Sequence, residues 1–381
     1  MKCLVVFEGG PGAILPLIPL LHGVRSAGHD VIAAAHKEAL PTLLEAGIPA
    51  VAAPQKSPKD YREVKEGKLV PLTGDLEERA AVLGRTAARM AVDSYHDLLE
   101  LSGRWRPDLI VAGPLAYTAA MLSAELNIPC AAVEFGFAEP LNWHRETVKA
   151  LGELGFDSLP DPELSLIMCP EEIRHGDDTA FRRLAGEPMR YVPYSPARPL
   201  EPWMVTKGSR PRVWVSAGSR VGTDYALDHL GGLIESAAEL DVELLIATPD
   251  DVAAHLGPLP EHARAGWLPF DLLASTCDLA VHHGGGSTML GFASHAIPQV
   301  MIPNVPEFEE YLAPMAATGA AKVLSAGEQT SAAVVAACRE LLTDPSYRRA
   351  AAVLRDRMRS APSPRDVVVR LEEIAAAGVG G

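Results

Sequence analysis

The chain has 381 residues, which is long for a single core, so two domains are expected. Hydrophobic residues at 48% and charged residues at 22% give the ordinary balance of a soluble globular protein. A formal net charge of -15 argues against sequence-independent nucleic-acid binding, which needs a basic surface, but leaves room for an anion held locally at a helix N-terminus.

The first half alternates apolar runs with helical periodicity. Lys2 to Glu8 suits a strand covered on both faces, and Gly9-Gly-Pro-Gly12 breaks it. A helix is expected over Ile14 to Ala27, with Pro16 and Pro19 in its first turns and Gly28 closing it. A strand at 30–34, a helix at 37–46 and a strand at 49–53 complete a βαβαβ start, the mark of a doubly wound sheet. Residues 54–75 form a long polar insertion. A long helix follows over 76–101, with Arg79, Arg85 and Arg89 on its wetter side. Strands are expected at 108–112, 128–133 and 164–168, with a helix ending at Leu126. Ligands of such sheets sit beyond the carboxyl ends of the strands, which points to Glu8 to Ala13, Gly113 to Tyr117 and Glu134 to His144. Phe135, Phe137 and Trp143 could wall an aromatic pocket there, or could simply pack the domain edge.

Residues 191–202 are dense in proline and lack periodicity, as in a stiff linker. Strand patterns restart at 212–216 and recur at 242–247, 263–268, 279–282 and 299–302, with helices at 225–240 and 306–317. The expected organisation is a first doubly wound domain over 1–190, a linker over 191–211, and a second such domain over 212–362. A final helix within 363–381 is expected to return to the first domain.

The densest chemistry lies in Ala280-Val-His-His-Gly-Gly-Gly-Ser-Thr-Met-Leu290. An apolar strand runs into two histidines, three glycines and two hydroxyl residues, and helix formers follow. Amides at Gly285, Gly286, Ser287 and Thr288, the two hydroxyls and the His283 imidazole are donors suited to a diphosphate. One of His282 and His283 is expected to be a core residue. Gly218, Ser219 and Arg220 offer further donors at a neighbouring strand end, and Trp267 could stack on a base. No cluster at metal-ligand spacing stands out, so no metal is expected. The cysteines, Cys3, Cys130, Cys169, Cys277 and Cys338, form no CxxC pair and read as buried thiols in a reducing compartment. The N-terminus starts on a strand pattern and no uncharged apolar stretch is long enough to span a bilayer, so a cytoplasmic location is expected.

Trp267-Leu-Pro269, His282-His-Gly-Gly-Gly-Ser-Thr288 and Ile297-Pro-Gln-Val-Met-Ile-Pro303 together resemble the donor signature of nucleotide-sugar glycosyltransferases with the GT-B fold. Within these, Arg104-Trp-Arg-Pro-Asp-Leu-Ile-Val111, Leu200-Glu-Pro-Trp-Met204, Ser216-Ala-Gly-Ser-Arg-Val221 and Ala274-Ser-Thr-Cys-Asp-Leu279 resemble bacterial natural-product enzymes that use dTDP-deoxysugars. The likeness points towards urdamycin-type C-glycosyltransferases of aromatic polyketide pathways, and it covers essentially the whole chain.

The resemblance implies two doubly wound, Rossmann-like α/β domains facing each other across a cleft, with no cofactor and a dTDP-sugar as co-substrate. Trp267 would stack on thymine and Leu268 would meet its edge. His283 and the Gly286 to Thr288 amides would hold the diphosphate, and Gly218, Ser219 and Arg220 would lie beside the nucleotide or sugar. Gly10, Pro11, Phe135 and Trp143 are the candidates for the acceptor side.

Two departures matter. Ala13 stands where relatives carry a histidine base, and Gly136 stands where the urdamycin-type enzymes carry an aspartate. Glu134, with Glu139 as the next nearest carboxylate, is the candidate base. Glu307 and Phe308 replace the family's Asp-Gln pair that binds sugar hydroxyls. That suits a sugar lacking hydroxyls, because an unpaired buried polar group is costly. Glu309 remains available to one hydroxyl.

The expected activity is inverting transfer of a 2,6-dideoxyhexose such as olivose from dTDP to an aromatic polyketide, forming a C-glycoside. An O-glycosyltransferase of the same pathway class and a non-catalytic nucleotide-sugar-binding partner are the alternatives. A homodimer is one assembly left open.

Overall fold

The computed structural model describes the chain except residues 66–67, 70–74, 137–138, 176–180, 183–184, 219–229, 236–238, 260, 304–306, 326 and 379–381. It divides into two compact units. The first comprises Met1–Met168, His175–Met189 and Pro362–Gly381, and the second Cys169–Arg174 and Arg190–Ala361.

The first unit is built on a seven-stranded parallel sheet. Its strands are β1 (Lys2–Val6), β2 (Asp30–Ala35), β3 (Ala50–Ala52), β4 (Leu109–Ala112), β5 (Cys130–Glu134), β6 (Leu164–Ile167) and β7 (Glu187–Pro188). Their order is β7-β6-β5-β4-β1-β2-β3. Helices cover both faces, which is why β1 and β4 are almost wholly apolar rather than alternating. Leu4, Val6 and Ile110 pack with Tyr95 and Leu98 of the helix Leu76–Trp105.

The helix expected to begin at Ile14 begins at Pro11 instead, and it is broken. A 3₁₀ turn at Leu15–Leu17 separates Pro11–Ile14 from Ile18–Ser26. Each piece places a proline in its first two positions, where the missing N–H has no intrahelical partner to lose. The polar insertion is tied to the long helix by side chains. Asp93 accepts from Lys56 Nζ and from the Tyr61 hydroxyl, both at 2.9 Å, and Glu63 pairs with Arg85 at 2.6 Å and Arg89 at 3.3 Å. The terminal helix Val368–Gly378 belongs to this unit, with His29 Nε2 2.7 Å from Glu372 Oε1 and Arg370 2.7 Å from Glu187.

The second unit holds a six-stranded parallel sheet. Its strands are β8 (Arg212–Ser216), β9 (Glu243–Ala247), β10 (Ala263–Gly266), β11 (Leu279–His282), β12 (Gln299–Met301) and β13 (Ala321–Val323). Their order is β10-β9-β8-β11-β12-β13. Trp214, Phe270 and Phe292 meet edge to face, with ring centroids 4.9–5.7 Å apart, the arrangement the aromatic quadrupole favours.

Arg212, 1% exposed, enters the core as an ion. Its guanidinium donates to Glu243, the Thr276 hydroxyl and the carbonyls of Trp203 and Thr206, so the charge is fully partnered. The proline-dense stretch after Met189 is bonded within this unit. Arg190 donates to the Ala361 carbonyl, the Ser195 hydroxyl accepts from the Asp271 amide, and Arg198 lies 3.2 Å from Asp250. All five cysteines are buried and free. Among the described residues, no helix is long and apolar enough to cross a membrane.

Candidate active site

The helices Tyr117–Leu126 and Gly286–Ser294 both begin without a side-chain cap of their own, and the structure treats them differently. The helix Tyr117–Leu126 starts at Ala116, which has no capping group. Its first orphan amides are satisfied by the Glu8 carboxylate, just beyond β1. Tyr117 N–H donates to Glu8 at 3.1 Å and Thr118 N–H at 3.0 Å, and the Thr118 hydroxyl donates as well. Burial pushes the Glu8 carboxyl up to about 7, against the pull of these three donors. A carboxylate placed by the sequence among candidate ligand-binding residues thus caps a helix.

The helix Gly286–Ser294 starts at Gly285, likewise without a side-chain cap. Its first-turn amides at Gly286, Ser287 and Thr288 have no carbonyl behind them in the helix to bond. The positive end of this helix lies at the carboxyl end of β11, where a phosphate suits it.

His283 stands at that turn, half-buried, between two glycines. A Cβ on Gly218 would come 2.5 Å from His283 Cε1, and one on Gly285 would come 2.5 Å from His283 Nε2. Gly218 also adopts φ +91°, where side chains are strained. The strand end at Gly218 and the turn at Gly285 therefore form a slot shaped to one imidazole. Three of the candidate donor residues converge here.

Trp267 follows β10 on the same sheet, half-buried, and its amide donates to Asp250 Oδ1 at 2.8 Å. Leu268 packs on the cluster of Trp214, Leu273 and Phe292. Tyr191 donates from its hydroxyl to the Ser287 carbonyl at 3.0 Å. Glu309, half-buried, occupies the first turn of the helix Glu307–Ala317. Ser219 and Arg220 lie outside the described residues, as does Phe137.

His282 is fully buried, and burial lowers its pKa to about 4. It is the core histidine of the pair.

In the first unit, Gly10 caps the short helix Pro11–Ile14. Glu134 is the last residue of β5, half-buried, and the half-buried Phe135 follows it. Gly136 turns with φ +88°, a left-handed backbone that strains any side chain placed there. Glu139 sits in a short antiparallel pair opposite Arg182. Trp143 is half-buried in the helix Leu141–Glu153, and its buried indole nitrogen has no hydrogen-bond partner among the described residues. The next residue, His144, stacks on Tyr117 at 5.8 Å, with Nδ1 3.2 Å from the tyrosine oxygen.

The Tyr117–His144 pair, Asp250 and Tyr191 carry no sequence motif. The Glu8 cap did leave a signal, since Ala116 offers the following helix no capping atom. Among the described residues, no group of three or more His, Cys, Asp or Glu could hold a metal ion.

Two parallel-sheet α/β units, one with an uncapped helix start behind a histidine slot, define a nucleotide-sugar glycosyltransferase of the GT-B fold. The solved Streptomyces sp. SF2575 glycosyltransferase SsfS6, complexed with thymidine diphosphate, matches with a TM-score of 0.82 at 28% identity, over 98% of this chain and 99% of that one. The chain belongs to the erythromycin biosynthesis protein CIII-like family, whose N-terminal domain model matches residues 22–218 and C-terminal domain model residues 232–374. Similar curated proteins include the L-demethylnoviosyl transferase of Streptomyces niveus, 28% identical over 96% of both chains. The elloramycin glycosyltransferase ElmGT of Streptomyces olivaceus is 29% identical over 97% of both.

Proposed function

We propose that the protein transfers a 2,6-dideoxyhexose such as olivose from dTDP to an aromatic polyketide, with inversion, joining the anomeric carbon to a ring carbon beside a phenol. The observation that carries the donor half is the His283 slot in front of the uncapped Gly286 helix. The thymidine diphosphate bound by the similar SsfS6 supports this choice of nucleotide. His283 and the first-turn amides hold the diphosphate, and Trp267 stacks on the base.

The ring carbon attacks as the anomeric C–O bond breaks, and the electron pair leaves on the diphosphate oxygen. Donors already in place stabilise that charge as it develops. The phenol proton passes to Glu134; after attack the ring proton leaves to water as aromaticity returns, and Glu134 gives its proton back to the phenolate oxygen. Support for carbon rather than oxygen attack lies in Ala13, which carries no base of the kind an alcohol would need, whereas a phenol ionises far more readily.

The test is turnover of purified protein with dTDP-olivose and an angucycline-type acceptor, followed by mass spectrometry and NMR of the product. An acid-stable C-glycoside is expected. An acid-labile O-glycoside would remove the C-transfer claim while leaving the donor assignment intact.

A further inference from the structure

The buried histidine of the pair carries a role that the donor motif leaves unassigned. His282 is 0% exposed, and both of its ring nitrogens are engaged. The amide of Gly284 donates to His282 Nδ1 at 3.0 Å. An amide can only donate, so Nδ1 holds the lone pair and the proton of the neutral ring sits on Nε2. Nε2 lies 2.8 Å from Gln299 Oε1, which accepts that proton. Gln299, also 0% exposed, then donates from its amide nitrogen to the Met289 carbonyl at 3.1 Å. Every group in this chain is satisfied in one orientation only. The chain joins the end of β11, the turn at Gly284, the start of β12 and the helix Gly286–Ser294 at Met289. The Phe292 ring stacks alongside the imidazole at 6.2 Å.

We infer that His282 is a positioning residue of the donor seat: its Nε2-protonated imidazole pins the Gly284 amide inward and, through Gln299, the helix start. His283 and the first-turn amides of the helix thereby keep the spacing a diphosphate needs. This rests on the donor assignment above. His282 touches no substrate atom. Its ring fixes the path of the turn, and the following residue does the binding.

Two substitutions separate its two bonds. His282→Asn keeps an acceptor at the Nδ1 position for the Gly284 amide and gives up the Gln299 link. His282→Gln keeps a donor at the Nε2 position and loses the Gly284 acceptor. Binding of dTDP by calorimetry should weaken at least tenfold in His282→Gln and several-fold less in His282→Asn, at similar melting temperatures. Equal, wild-type binding by both variants would overturn the inference.

Nitrogen NMR of the wild-type imidazole needs no variant to fold. It should show a neutral ring protonated at Nε2, and an Nδ1-protonated ring would also overturn the inference. If the wild-type protein itself binds no dTDP, the donor assignment falls, and the NMR result then stands or falls separately.

Discussion

The Tyr191 hydroxyl donates to the Ser287 carbonyl at 3.0 Å, and Tyr191 is 4% exposed. A residue from the proline-dense stretch thus holds the first turn of the helix that forms the candidate phosphate seat. Tyr191→Phe keeps the ring and removes only the bond. It should lower stability by about 1 kcal/mol, the usual net worth of one hydrogen bond, and weaken dTDP binding a few-fold. Chemical denaturation and calorimetry on the same variant check both.

Gly218 and His283 make a sharper prediction. An added methyl at Gly218 meets the imidazole at 2.5 Å on a backbone already at φ +91°. Gly218→Ala should therefore mimic His283→Ala. A hydrogen bond to a charged group is worth about 1.5–3 kcal/mol, so each variant should lose about tenfold to a hundredfold in kcat/KM for the donor. The double variant should lose little more than either single one, because both changes remove the same contact. Additive losses would show that Gly218 acts on something other than His283.

Much of this architecture is legible in the sequence, for a physical reason. Strands such as β1, β4 and β11 are covered on both faces, so they read as continuous apolar runs ended by glycine or a polar residue. The donor turn is legible because glycines, histidines and hydroxyls follow a strand directly. The helix Leu141–Glu153 is less so, since Trp143 and His144 in its first turns resemble pocket residues as much as helix formers. The helices Ser331–Thr343 and Pro345–Ser360 are announced mainly by their caps, Thr330 and Asp344. Contacts such as Tyr191 with Ser287, 96 residues apart, have no local signature at all.

Arg212 and Glu243 are the charged pair whose loss should be felt most. Arg212→Ala leaves Glu243 and two carbonyls without their donor, and breaking a buried pair costs about 3–5 kcal/mol. Replacing both partners, as Arg212→Met with Glu243→Leu, should cost clearly less than the single change. Urea unfolding of the three variants measures the difference.

Glu8 sets a pH dependence with a definite sign. Its folded pKa of about 7 lies above the ordinary 4.5, so the folded state holds the proton more tightly than the unfolded one. The stability this contributes is fully present below pH 4.5 and is lost as pH rises to about 7. Glu8→Gln cannot titrate. The gap between its stability and that of the wild type should shift in the variant's favour across that window and stay level above it. Parallel curves from pH 4.5 to 8 would contradict the assignment.

The terminal helix gives the order of synthesis a role. Residues 362–381 complete a unit whose other parts end at Met189. While the chain is being made, that unit must wait through the whole of its neighbour before Glu372 and Arg370 can reach His29 and Glu187. The second unit, continuous from Arg190 to Ala361 apart from one short excursion, can close first. The part of the protein made earliest is thus the part finished last.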